Sequence, residues 1–204
     1  MSEVIEIHPQ RIKPRDIARV AEVLRKGGVI IVPGDSGYAL LCPLDDKAAA
    51  DRIRRIRALD RDHPFTIVCA DLTRLAHYAR VDNVQFRMLK TLFPGEFTCI
   101  LPASREVPRR VQNEKRKTIG IRVPDHPVLQ ALIHEYGDAL MGVSLFDSDA
   151  YDADIHDLPP SVTGLVDLIV DAGDLPLRPT TVLDLTVMPP EVIRQGVGDA
   201  SAIV

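Results

Sequence analysis

The sequence contains no tryptophan, and aromatic residues make up only 4% of its 204 residues. Single-stranded nucleic acids are usually bound by stacking bases on aromatic side chains, so this class of binder is disfavoured. No apolar run reaches the roughly 18 residues of a membrane-spanning helix, and the polar N-terminal stretch is unlike a signal peptide. The odd number of cysteines, Cys42, Cys69 and Cys99, each in an apolar run, predicts buried free thiols and a cytoplasmic protein.

Common signatures of nucleotide and metal enzymes are also missing. The chain has no Walker A sequence, no GxGxxG, no HExxH and no Cys/His spacing typical of zinc, and no metal site is predicted. The six histidines are scattered, and no Ser-His-Asp set follows from their order. His63 and His126 each adjoin a proline in a turn, where we expect surface side chains, with phosphate contact as the alternative.

Hydrophobic periodicity instead predicts interleaved helices and strands, which favours one domain over residues 1–204 of α/β or α+β class, built on one large mixed sheet. The acidic, proline-bearing stretch 147–163 is predicted to be an exposed loop. The predicted helices are 15–27, 45–59, 71–77, 82–93 and a helix ending at Tyr136. The predicted strands are 29–32, 38–42, 65–69, 97–101, 118–123, 139–145, 168–170, 181–185 and 191–194.

The stretch 30–38, IIVPGDSGY, is the strongest local candidate for a site. An apolar strand is followed by a turn, and Pro33 is expected to end the strand. The two glycines allow the backbone to turn sharply and to approach a ligand closely. Small polar side chains at the end of a buried strand are a common way for an α/β sheet to build a site. Similar turns precede Thr98 and Thr181, and all three could instead be simple strand starts.

Charge is unevenly distributed along the chain. Residues 1–133 carry a net charge of +7 and residues 134–204 a net charge of −11. Residues 105–122 alone carry +5, which indicates either a solvated face or a basic concavity for a phosphate-bearing ligand. Arg122 lies inside an apolar strand and must be paired or face a ligand. Arg194 precedes a glycine turn, and an internal aspartate partner is the alternative to a ligand.

Six segments in order resemble the blocks of one family: PGDSGYAL, FPGEFTCIL, IRVPDHP, the strand end at Ser144, PTTVLDLT and VIRQGVGD. They are similar to the YrdC-like superfamily, the threonylcarbamoyl-AMP synthases, over roughly residues 15–199. The segments RDHPFTIVCADL, EKRKTIGIRVP and RQGVGD look most like its YciO branch. The resemblance implies a YrdC-like twisted mixed β-sheet flanked by helices, with a basic concave surface.

The resemblance also implies a nucleotidyltransferase. In the synthases, L-threonine and bicarbonate form a carbamate that attacks the α-phosphate of ATP, usually with Mg²⁺, and pyrophosphate leaves; no tightly bound cofactor is involved. The product serves tRNA threonylcarbamoyladenosine modification. Two residue pairs of the family are altered in this chain. The family's Lys-x-Arg corresponds to Arg57 and Leu59, and its Ser-x-Asn corresponds to Ser144 and Phe146. The implied catalytic residues are Arg57 and Ser144. The implied nucleotide- and substrate-binding residues are Gly34, Ser36, Tyr38, Thr98, Arg122, Thr181 and Arg194.

Three hypotheses follow from these observations. The first is an ATP-using enzyme of the threonylcarbamoyl-AMP synthase type, acting on L-threonine or a similar small acceptor and weakened or redirected by the altered pairs. The second is a protein that binds tRNA or double-stranded RNA, which can be recognised by shape and phosphates without aromatic residues. The third is a sensor that binds a nucleotide without turnover. The predicted RNA-binding residues are Arg105, Arg109, Arg110, Lys115, Arg116 and Lys117.

Overall fold

The fold is taken from a computed structural model, which describes residues 2–61, 63–113, 115–146, 155–175, 177–201 and 203. The strands are β1 Glu3–Glu6, β2 Ile30–Gly34, β3 Gly37–Pro43, β4 Thr66–Val68, β5 Phe97–Pro102, β6 Thr118–Arg122, β7 Leu140–Ser144, β8 Leu168–Asp171, β9 Thr181–Asp184 and β10 Glu191–Arg194. The helices are α1 Pro14–Arg25, α2 Lys47–Arg57, α3 Leu72–Tyr78, α4 Asn83–Leu92, α5 Pro127–Tyr136 and α6 Pro160–Thr163. Short 3₁₀ turns lie at Arg109–Val111 and Ile155–Asp157.

The ten strands form one sheet in the order β1-β8-β2-β3-β7-β4-β6-β5-β9-β10. The pairs β1–β8, β2–β8, β4–β6 and β5–β9 are parallel, and the remaining neighbours are antiparallel. The predicted mixed α/β sheet flanked by helices is therefore confirmed. Neighbouring strands are often far apart in sequence, so residues from several segments meet on one face.

The sheet separates two hydrophobic layers. On one face, Ile53 of α2, Leu75 of α3 and Leu89 of α4 are almost fully buried in a single cluster. On the other face, α1 and α5 form a second cluster that includes Leu41 and Val68. These two side chains also line a cleft whose floor continues over β6, β5 and β9. The helices α1 and α5 thus cover one part of this face, and the cleft lies over another part.

Local sequence signals explain where the helices begin. The side chain of Asp46 accepts a hydrogen bond from the backbone N–H of Ala49 and caps α2. Asp82 and Gln85 form a reciprocal capping box at α4. Proline stands in the first turn of α1 and of α5, where its missing N–H costs nothing.

Among the described residues, no helix combines the length and the apolar character required to cross a bilayer.

Three details differ from the sequence predictions. Pro33 does not end β2, which continues to Gly34; β8 pairs only with Ile30 and Ile31, and a strand bonded on one side tolerates proline. The strand β1 was not predicted, because it is a short, mostly exposed edge strand with a charged residue at each end. Within the exposed loop predicted over 147–163, Ile155–Asp157 form a 3₁₀ turn with buried Ile155 and Pro160–Thr163 form the helix α6, so the loop prediction is wrong for these two elements. Residues 147–154 lie outside the described part.

The three cysteines are buried and none forms a disulfide bond, as predicted from their apolar surroundings. Burial raises the pKa of the Cys69 and Cys99 thiols well above the ordinary range. Both thiols are therefore protonated and unreactive near neutral pH.

Candidate functional site

A cleft of about 380 Å³ lies over the strands from β3 to β10. Its lining includes Ala39, Gly120 and Gly142, whose side chains are small or absent and take up little of its space. Gly142 cannot be replaced, since a Cβ there would lie 2.0 Å from the carbonyl oxygen of Leu40. The polar residues that line the cleft are Ser36, His63, Thr66, Thr98, Asn113, Arg116, Thr118, Arg122, Ser144, Thr180 and Arg194.

A tight hairpin brings Asp35 and Ser36 to one end of this cleft. Gly34 and Gly37 pair directly across β2 and β3, which leaves Asp35 and Ser36 as the two turn residues. Gly37 has a φ of +96°, a conformation that side-chain-bearing residues rarely adopt. The glycines of this motif therefore set the turn, and the polar residues between them face the cleft end.

Arg122 forms a nearly buried ion pair at the same end. Its Nη2 donates to Asp35 Oδ2 at 2.5 Å, and the two side chains are only 12% and 7% exposed. Asp35 also accepts from the backbone N–H of Asp125 at 3.0 Å, and Arg122 Nη1 lies 3.4 Å from Ser36 Oγ. The Nε of Arg122 is buried without a hydrogen-bond partner among the described residues. Arg122, expected to be either paired or ligand-facing, is paired and also lines the cleft.

Arg194 and two threonines form a second group at this end. Thr98 Oγ1 and Thr180 Oγ1 share a hydrogen bond of 3.0 Å. Arg194 donates through Nε and Nη2 to the carbonyl oxygen of Thr180, at 3.2 and 3.0 Å. Its partner is thus a neutral carbonyl rather than the aspartate considered as an alternative, and its positive charge is not balanced by a carboxylate among the described residues.

Arg116 lies toward the opposite end of the cleft. It lines the cleft and donates to Asp184 Oδ2 at 2.7 Å. Burial by itself would raise the pKa of Asp184, but hydrogen bonds from Thr186 and Arg116 outweigh this effect and hold the pKa below its ordinary value. From Thr118 to Arg122, β6 spans roughly 13 Å between the two ends. The cleft is therefore long enough for an extended ligand with contacts at both ends.

The predicted small-molecule residues divide into two groups. Ser36, Thr98, Arg122, Ser144 and Arg194 line the cleft together. The others are placed around it rather than in its lining.

Tyr38 points away from the cleft, where its hydroxyl donates to the carbonyl oxygen of Gly173 at 2.7 Å. Thr181 is fully buried and donates to the carbonyl oxygen of Gly198 at 2.7 Å. Arg57 donates through Nε to the carbonyl oxygen of Ser144 at 2.9 Å and so ties α2 to the end of β7. These three side chains lie outside the cleft lining, and Gly34 is part of the hairpin.

The predicted RNA-binding residues separate as well. Arg105, Arg109 and Lys117 line a groove of about 1070 Å³ that is distinct from the cleft. Arg116 belongs to the cleft, although it adjoins Lys117 in sequence. Lys115 is exposed outside both linings, and the side chain of Arg110 lies outside the described residues.

Several residues at the site were not predicted as site residues. Asp35 positions Arg122, Thr180 holds Arg194, and His63 is an exposed member of the cleft lining. His126 is half-buried, contrary to a simple surface turn, and its Nδ1 is buried without a partner among the described residues. Burial lowers the pKa of His126. Asp35 and Thr180 belong to motifs the sequence showed, but their orientation depends on strand register.

The described side chains of the cleft do not form a metal cage. No three histidine, cysteine or acidic residues gather as metal ligands in the described part of the chain. Asp35 and Asp184, the carboxylates bonded to the cleft arginines, are each held in an ion pair. A magnesium ion would have to be carried mainly by phosphate oxygens and water, which is a common way for Mg²⁺ to bind.

Comparisons with known proteins agree with this fold. A family model named Sua5_yciO_yrdC, described as telomere recombination, matches residues 22–196. The YciO protein of Escherichia coli (strain K12) is 47% identical over 201 residues, 98% of each chain. The crystal structure of E. coli YciO has a TM-score of 0.93 at 46% identity and covers both chains completely.

More distant relatives carry a named activity. A threonylcarbamoyl-AMP synthase of Vibrio vulnificus (strain YJ016) is 30% identical over 132 residues, 63% of this chain and 70% of that protein. The crystal structure of P. abyssi Sua5 complexed with L-threonine has a TM-score of 0.84 at 25% identity, over 100% of this chain and 59% of that chain. The protein therefore belongs to the Sua5/YciO/YrdC family and is similar over its whole length to YciO.

Proposed function

We propose that the protein is an ATP-dependent, adenylate-forming enzyme of the threonylcarbamoyl-AMP synthase type, with L-threonine or a similar small acceptor and bicarbonate as its other substrates. The observation that carries the proposal is the group at one cleft end, where Arg122, Arg194 and the hydroxyls of Ser36, Thr98 and Thr180 meet. Relatives named as threonylcarbamoyl-AMP synthases and a Sua5 structure with L-threonine support the same chemistry.

The reaction needs charge stabilisation rather than a protein nucleophile. A carbamate carboxylate oxygen attacks the α-phosphorus of ATP, a new P–O bond forms, and the bond to the leaving pyrophosphate breaks. Negative charge on the phosphoryl oxygens increases in this step, so fixed cations and donors lower its barrier. Arg194 suits this role because its existing partner is only a carbonyl group, which leaves the guanidinium charge available to a phosphate.

Two positions predict a reduced or redirected activity. Leu59 is half-buried and offers no charge, and Phe146 packs against the core instead of presenting an amide beside Ser144. A charge-assisted hydrogen bond contributes about 1.5–3 kcal/mol, so two missing contacts correspond to about 10² to 10⁴ in catalytic efficiency. The same positions would be where a different acceptor is selected.

The first test is pyrophosphate release with ATP, Mg²⁺, bicarbonate and L-threonine, together with each single omission. We expect release only with the full mixture, and Arg194→Ala should lower it about tenfold to hundredfold because one charge-assisted contact is lost. Arg57→Ala should also lower it, since the end of β7 at Ser144 loses its tie to α2. Arg55→Ala, an exposed arginine of α2 outside the cleft lining, is the matched control. Pyrophosphate release that is unchanged in Arg194→Ala, or that occurs without L-threonine, would contradict the proposal.

Two alternative functions remain proposals. Binding of tRNA or double-stranded RNA is favoured by the exposed cations Arg105, Arg109 and Lys117, which lie on one groove. It predicts an affinity that falls steeply with salt, because bound counterions are released. A sensor would bind ATP in the cleft without releasing pyrophosphate. RNA affinity that is independent of salt would exclude the RNA-binding alternative. An absence of ATP binding would exclude the sensor.

A further inference from the structure

The groove beside the cleft carries more uncompensated positive charge than the cleft itself. Arg80, Arg105, Arg109 and Lys117 all line it, and its described lining contains no carboxylate. In the cleft, by contrast, Arg116 and Arg122 each have an aspartate partner. None of the four groove cations has an ion pair among the described residues.

Hydrogen bonds fix the backbone beneath the groove at two of these cations, Arg80 and Lys117. Arg80 donates its backbone N–H to the carbonyl of Pro102 at 2.9 Å, and Ala79 bridges Ala103. Ala103 donates in turn to the carbonyl of Lys117 at 2.9 Å. Three segments distant in sequence are thus joined by backbone hydrogen bonds beneath the groove. Like charges on a fixed scaffold repel one another, and an anion between them relieves that repulsion.

Lys117 adds a second indication. Its φ is +51°, in the left-handed region that residues with side chains seldom occupy. Its neighbour Arg116 lines the cleft, whereas Lys117 lines the groove. The strained backbone therefore places two adjacent cations into two different cavities, and unfavourable conformations of this kind cluster at functional sites.

We infer that this groove is a binding site for an anion with several adjacent phosphoryl groups, separate from the substrate site in the cleft. Arginine and lysine donors favour phosphate oxygens, and four of them suit a chain of phosphates better than a single carboxylate. Asn113 lines both cavities, so the groove opens next to the cleft end that carries Arg116. The ligand that fits is a free polyphosphate, because the phosphodiester groups of RNA are separated by ribose units and are not directly joined. The site does not depend on the adenylate-forming activity.

The test compares two double variants of the full chain. Arg80→Glu/Arg109→Glu reverses two groove charges, and Arg11→Glu/Arg87→Glu makes the same charge change at exposed positions outside both cavities. Binding of inorganic tripolyphosphate is measured by calorimetry, and binding of a short RNA duplex by fluorescence anisotropy. Lys117→Asn is an additional variant that removes one charge and tolerates the left-handed backbone.

We expect the groove variant to bind tripolyphosphate about tenfold or more weakly than the control variant, since each lost phosphate contact costs about a factor of ten. The inference is overturned if the natural protein does not bind tripolyphosphate, or if both double variants bind it equally well. A loss seen with the RNA duplex alone also overturns the inference and supports the RNA-binding alternative instead. Pyrophosphate release is measured on the same variants. Because it reports on the cleft and not on the groove, a failure of the proposed enzymatic function can be distinguished from a failure of this inference.

Discussion

Replacing Asp35 with alanine should destabilise the protein strongly, because it leaves Arg122 with an unpaired charge. The Asp35–Arg122 ion pair is 2.5 Å long, with side chains only 7% and 12% exposed. Removing one partner of a buried pair typically costs about 3–5 kcal/mol. Since Arg122 retains some contact with water at the cleft, we expect the lower end, about 3 kcal/mol.

Asparagine at the same position should cost less. Its side-chain oxygen can still accept from the backbone N–H of Asp125, which now donates to Asp35 at 3.0 Å. The charge is lost but the backbone N–H of Asp125 keeps its partner, so about half of the alanine effect is expected, about 1.5 kcal/mol. The ordering of the two variants separates the contribution of the charge from that of the hydrogen bond.

The measurement is the free energy of unfolding in urea for the natural protein, Asp35→Ala, Asp35→Asn, Arg122→Met and the double variant Asp35→Ala/Arg122→Met. The double variant has no buried charge left unpaired, so it should be more stable than the sum of the single losses predicts, by at least about 1 kcal/mol. Additive losses, or a loss below about 1 kcal/mol in Asp35→Ala, would refute the view that this pair is a buried, mutually dependent unit.

Three further predictions follow from individual contacts. In Gly120→Ala, the added Cβ lies 3.5 Å from its nearest neighbours, so the free energy of unfolding should change little. The methyl group occupies space in the cleft and should lower ATP affinity about tenfold; calorimetry that shows unchanged affinity would contradict the cleft assignment. Because the pKa of Asp184 is lowered in the folded protein, its carboxylate stabilises the fold above the ordinary aspartate pKa, and this stabilisation is lost as pH falls below about 4. The urea midpoint of Asp184→Asn should therefore depend less on pH in this range than that of the natural protein. Because burial lowers the pKa of His126, its neutral imidazole stabilises the fold above about pH 6.5, and this stabilisation is lost at lower pH. Identical pH profiles of the free energy of unfolding for the natural protein and His126→Gln would disprove this.

Most elements of the fold could be predicted from the sequence because they depend on local signals. Helix periodicity and capping residues placed α2 and α4 within about two residues of their observed bounds. The strand β1 could not be recognised, since Glu3–Glu6 is held mainly by backbone pairing with β8 and an ion pair from Arg19. Pairing partners that lie far along the chain leave no signal in a four-residue segment.

The site was less predictable because it depends on strand register. Thr180 and Thr181 are adjacent, but one lines the cleft and the other is buried on the opposite side, since successive side chains of a strand alternate. Tyr38 lies on the far side of β3 for the same reason. A sequence motif can therefore identify the segment that contributes to a site without identifying which of its residues faces the ligand.

The distribution of charge shows the same limit. The segment 105–122, with a net charge of +5, reads as one basic cluster in the sequence. In the fold, Arg122 is neutralised by Asp35 and Arg116 by Asp184, so these two arginines contribute orientation more than net charge to the cleft. Among the described residues that line the two cavities, the arginines and lysines without a carboxylate partner are Arg194 in the cleft and Arg80, Arg105, Arg109 and Lys117 in the groove. Because a phosphate binds best where positive charge has no internal partner, these two locations, rather than the whole basic segment, are where anions should bind.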